Sequence, residues 1–185
     1  MTSKTFKSSK RIAVSAMLAA ISFVILYMGA LTGVFDLCAV VVGALCVTFA
    51  KIEMGKWYPY LVGAVTFTLS FLLLTDKIVA FEYLFLGAVY PMVKSAAEVL
   101  SRKLGAASGW IVKLVYFNAV LAAFIVLSKF VFVSGDEALF AGSAVMIAVA
   151  VVFTNVVFIF YDYAMTRFIC YYLFVLRKKL KIRDI

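Results

Sequence analysis

IAVSAMLAAISFVILYMGAL, residues 12–31, contains no charged side chain and matches the roughly 20 apolar residues that a helix needs to cross a bilayer. Lys4, Lys7, Lys10 and Arg11 precede it, and the short turn Thr32-Gly33-Val34-Phe35-Asp36 follows. A basic start before an apolar run also describes a secretory signal. This run is longer than a signal core, however, and further apolar blocks follow, so a retained helix is expected.

Working outward, the same reading finds apolar blocks at 34–50, 57–75, 78–94, 110–133 and 138–160. They are separated by the polar break at 51–56, by Asp76-Lys77, by an amphipathic stretch through 109, and by Ser134-Gly135-Asp136-Glu137. The expected fold is an all-α integral membrane protein: a compact bundle of six transmembrane helices forming a single domain over 1–185. After residue 160, Asp162 and Arg167 interrupt the apolar character. The tail at 161–185 is therefore expected as a cytoplasmic interfacial extension of the sixth helix, its tyrosines at headgroup level.

The charges test this topology. When successive loops are assigned to alternate sides with the N-terminus inside, all 18 Lys and Arg except Lys77 and Lys129 fall on the inner side. That bias is what the positive-inside rule demands of a multi-pass chain with both termini cytoplasmic, and a miscounted span would mix the two groups.

Composition narrows the function classes. Apolar residues make up 66% of the chain and charged residues 15%, with a mean hydropathy of +1.12. The net charge of +9 belongs at a membrane surface in so apolar a chain, and no nucleic-acid partner is expected. There is no histidine, so a His-based triad has no base and zinc loses its commonest nitrogen ligand. Cys38, Cys46 and Cys170 form no CxxC pair and read as small apolar packing residues. No phosphate-loop or nucleotide signature occurs, so ATP hydrolysis would have to be supplied by other subunits. No catalytic residue, metal ligand or cofactor is expected.

Asp36, Asp76, Asp136 and Glu137 lie in the outer loops and form an acidic rim, with Glu82 about one turn inside the fourth helix. An ionisable group within a span usually faces a cavity or the bundle interior. Glu82 therefore either touches a ligand or reaches outward, alternatively pairing with Lys129. Tyr27, Tyr83 and Lys129 could line the same outer half, as apolar walls with a few polar groups suit a small organic ligand. Asn118 and Asn155 lie deeper, where hydrogen bonding between helices is the expected role. In the first helix Ala16 and Ala20 are one turn apart on a face of small side chains, against which another helix can pack closely.

The run Arg11-Ile12-Ala13-Val14-Ser15-Ala16-Met17-Leu18-Ala19-Ala20, together with Asn155 through Tyr163 and the basic tail, resembles the S components of energy-coupling factor transporters. The likeness spans nearly the whole chain. It implies a subunit of a bacterial or archaeal cell membrane that captures a vitamin or related micronutrient from outside and works with a transmembrane T component and two ATPase subunits. It further implies that Ala16 and Ala20 contact the T component. The ligand would lie beneath the loops around Asp36, Asp76 and Asp136. A small membrane scaffold subunit without a ligand, similar to those of the bacterial rod-shape machinery, is the alternative.

Overall fold

The computed structural model describes residues 2–33, 35–55, 57–131 and 144–177. Among them every regular element is helical and there is no strand. We number six helices: α1, Thr2–Thr32; α2, Asp36–Met54; α3, Tyr58–Leu73; α4, Lys77–Leu104; α5, Ala106–Val131; and α6, Ala144–Tyr171. Five of them are long and apolar enough to cross a membrane, as expected of a multi-pass membrane protein. The sixth, α3, is apolar but has 16 residues, a rise of about 24 Å at 1.5 Å per residue.

The helix ends follow from local chemistry. Gly33, at φ 63°, ends α1, and Gly55 and Gly105, both at φ 98°, follow α2 and α4; these are conformations that a Cβ penalises. Pro59 sits in the first turn of α3, where its missing N–H is not needed. Between α3 and α4, Asp76 Oδ1 accepts from Ile78 N at 2.8 Å and so caps α4. Lys77 Nζ donates to the carbonyls of Phe71 at 2.6 Å and Leu74 at 2.7 Å, satisfying the end of α3.

Within α4 the turns widen to a π-helix over Tyr83–Val89, ending two positions before Pro91. In an unbroken α-helix the ring of Pro91 would press on the carbonyl four residues earlier, and a wider turn relieves that clash. Helix α4 runs ten residues beyond the expected end at 94, and α6 continues past 160 to Tyr171 and a final π-turn, Tyr172–Leu176. Residues 138–143 of the expected sixth helix lie outside the described residues.

The chain divides into two compact units, Met1–Met92 with Phe168–Ile185, and Val93–Arg167. In the first, α1, α2, α3 and the start of α4 pack around Leu26, Val40, Val47, Val62, Val79 and Tyr83, all buried. Two glycines permit close approach. A Cβ on Gly29 would meet that of Ala39 at 2.5 Å, and one on Gly43 would meet Ser22 Oγ and the Tyr83 ring at 2.9 Å. Tyr172 is also buried here, its ring edge-on to Phe49 with centroids 5.3 Å apart. Its hydroxyl donates to Glu53 Oε1 at 3.1 Å, and that oxygen also takes Arg177 Nε at 3.1 Å. The segment expected to lie in the interface thus contributes one of its tyrosines to a protein core.

In the second unit Phe117 and Phe158 stack at 4.2 Å. The Asn118 and Asn155 amides exchange hydrogen bonds of 3.1 and 3.3 Å, the interhelical role expected of them. Large apolar side chains such as Leu31, Leu72, Val115, Phe153 and Phe160 are exposed. Water-soluble monomers rarely carry contiguous apolar surface on that scale, whereas helices that satisfy their own backbone tolerate it in lipid.

Candidate functional site

Two groups of ionisable side chains sit within the apolar helices. The first lies in the first unit, at the end that carries the α1–α2 and α3–α4 turns. Asp36 opens α2, Asp76 caps α4, and Glu82 follows within α4. The carboxyls of Asp36 and Asp76 are both near enough to act electrostatically on Glu82. The fold therefore joins three of the residues singled out from the sequence, although they do not form a metal-holding group.

Their partners are few. Asp36 Oδ1 is buried without a hydrogen bond. Glu82 is half-buried, and no hydrogen bond or ion pair engages it among the described residues. The ammonium of Lys77, next in sequence to Asp76, is turned to the two carbonyls that end α3. The result is a carboxylate cluster with spare acceptors, which can receive a cationic or hydrogen-bond-donating group.

The other expected site residues divide. Tyr27 is exposed, its ring 6.1 Å from that of Phe23. Tyr83 is fully buried between Gly43 and Gly87, and its hydroxyl accepts from Ser22 Oγ at 3.4 Å; it packs helices together. Lys129 lies in α5, with its side chain outside the described residues, and Asp136 is outside them altogether. On α1, Ser15, Ala19, Ser22, Leu26 and Gly29 are buried, while Ala13, Ala16 and Ala20 are exposed. Ala16 and Ala20 thus share a face that the described residues leave uncovered.

The second group, in the second unit, was not selected from the sequence. Asp162 of α6 is buried and holds two buried lysines. Lys94 of α4 pairs with Asp162 Oδ1, and Lys113 of α5 pairs with Asp162 Oδ2 at 2.8 Å. Lys94 Nζ also donates to the Asp162 carbonyl at 3.0 Å and to Thr166 Oγ1 at 2.6 Å, and Glu98 stands 3.8 Å away. Beside these groups is a cavity of about 560 Å3 lined by Trp110, Lys113, Asp162 and Tyr163 among others. Ionisable groups within a span are costly unless paired and commonly mark function. The available signal was Asp162 itself, the one acidic residue in a helix that is largely apolar.

No family model, curated protein or solved structure matches the chain.

Proposed function

We propose that the chain is the substrate-capturing S component of an energy-coupling factor importer, with six membrane spans and both termini cytoplasmic. Its ligand is a small micronutrient bearing a positively charged or hydrogen-bond-donating group. The observation that carries this reading is Glu82: a half-buried carboxyl inside an apolar helix, within electrostatic range of Asp36 and Asp76 and engaged by no hydrogen bond or ion pair among the described residues. Such a group is expensive to keep in a membrane protein unless something binds it.

In this topology the three carboxylates face outward, where substrate arrives, and nearly all the lysines and arginines face the cytoplasm. The short α3 crosses with help from Trp57, Tyr58 and Tyr60 at its start, since aromatic residues anchor a slightly short span at the interface. The uncovered Ala16 and Ala20 offer the T component a face for close helix packing.

Glu82→Gln keeps the shape of the side chain and removes its charge. It is expected to weaken binding of the small molecule recovered with the purified chain by about tenfold to a hundredfold, the worth of a hydrogen bond to a charged group. Equilibrium dialysis of parent and variant measures this. Equal affinities would take Glu82 out of the site.

A further inference from the structure

We propose that the cavity beside Lys113 binds the phosphate of an anionic phospholipid, with Lys113 as the receiving ammonium and Trp110 and Tyr163 as aromatic walls. The inference uses the placement of α4, α5 and α6 in a membrane and is independent of the importer reading.

An ammonium has three donors. Lys113 spends one on Asp162 Oδ2 at 2.8 Å and stands 5.2 Å from the centroid of the Trp110 ring. No second acceptor takes its remaining donors among the described residues. Asp162 also holds Lys94 through its other oxygen. Lys94, by contrast, is satisfied by Asp162 and Thr166. Lys113 is therefore a buried cation with unused donors on the wall of a cavity.

The charges set the kind of anion. Lys94 and Lys113 are offset by Asp162 and by Glu98, whose side chain is 45% exposed and lies toward Lys94. Arg167 adds a positive charge beside Tyr163, donating to its hydroxyl at 2.8 Å and standing 5.0 Å over its ring. A net surplus of one favours a monoanion such as a phosphodiester, and the Glu98 carboxylate disfavours a dianion. Around the charged base the rim is apolar: Phe160 and Trp110 are exposed. A headgroup with acyl chains uses both parts of such a site, while free phosphate would leave the apolar rim unused. Basic pockets between membrane helices are known receptors for anionic headgroups. The volume is within the roughly 300–1,000 Å3 of small-molecule sites.

The chain has two tryptophans, and Trp57 is exposed, so Trp57→Phe leaves Trp110 as the sole indole reporter. This protein in non-ionic detergent is titrated with short-chain phosphatidylglycerol, short-chain phosphatidylcholine and inorganic phosphate. The expected result is a saturable change in Trp110 emission at phosphatidylglycerol concentrations about tenfold below those for phosphatidylcholine, and no response to phosphate. Lys113→Gln is expected to lose the preference and Lys113→Arg to keep it. Equal responses to the two lipids in the parent overturn the proposal, whether or not the variants fold. A saturable response to phosphate alone overturns the lipid assignment in favour of a free-anion site. An unchanged preference in folded Lys113→Gln overturns the role of Lys113.

Discussion

Asp162→Leu is expected to destabilise the protein by roughly 3–5 kcal/mol, the cost of leaving a buried charge without its partner. The effect is large because one carboxylate serves two ammoniums. Lys113 loses its one described hydrogen bond, and Lys94 loses its closest partner. Adding Lys94→Met and Lys113→Met to the same chain is expected to recover most of the loss, since apolar residues of similar volume often replace a buried ion cluster without penalty. Denaturation midpoints in detergent for the parent, single and triple variants measure both steps. A single variant as stable as the parent would mean that the two lysines find other partners. A triple variant no better than the single would mean that side-chain volume, not charge, is what matters there.

The second large effect concerns α1. If the importer reading holds, Ala16→Leu with Ala20→Leu is expected to abolish copurification with a T component and the ATPase subunits while leaving the chain folded and able to bind a small ligand. Both positions are exposed, so leucines there displace no described side chain, and leucine is a good helix former. Against a closely packed partner helix the added bulk costs roughly 1–3 kcal/mol per site. Two sites together weaken association by about a hundredfold or more. Quantifying the partner subunits retained on tagged parent and variant measures this, and undiminished assembly would remove this face of α1 from the partner interface. Ala19→Leu is a useful contrast, because Ala19 is buried with its carbonyl accepting from Thr66 Oγ1 at 3.3 Å; there the damage falls on the chain's own core.

The residues that could be read from sequence and those that could not differ in the range of the forces involved. Helix positions follow from local apolar runs and glycine breaks, so 12–31 and 34–50 fall within or close to α1 and α2. That Asp36 and Asp76 lie within electrostatic range of Glu82 follows from the same local reading, because turns at one end of neighbouring helices lie near one another. The Lys94, Lys113 and Asp162 cluster was not. Its members are 68 and 49 residues apart, and each has a sufficient local explanation. The lysines look like orientation charges at an interface, and Asp162 looks like the end of a span. Pairing removes the reason for either helix to stop, which is why α4 passes Lys94 and α6 passes Asp162 without a break. Gly29 was similarly ambiguous. It lies one helical turn before Gly33, yet of the two only Gly33 adopts positive φ, and Gly29 provides space for Ala39.

Substrate capture is tested most directly by mass spectrometry of the small molecules that the full chain carries through purification, compared with Glu82→Gln purified in parallel. One organic micronutrient is expected in near-stoichiometric amount with the parent and greatly depleted from the variant. A parent chain that carries none, and that binds none when incubated with a mixture of vitamins, would contradict the importer reading and favour a scaffold without a ligand.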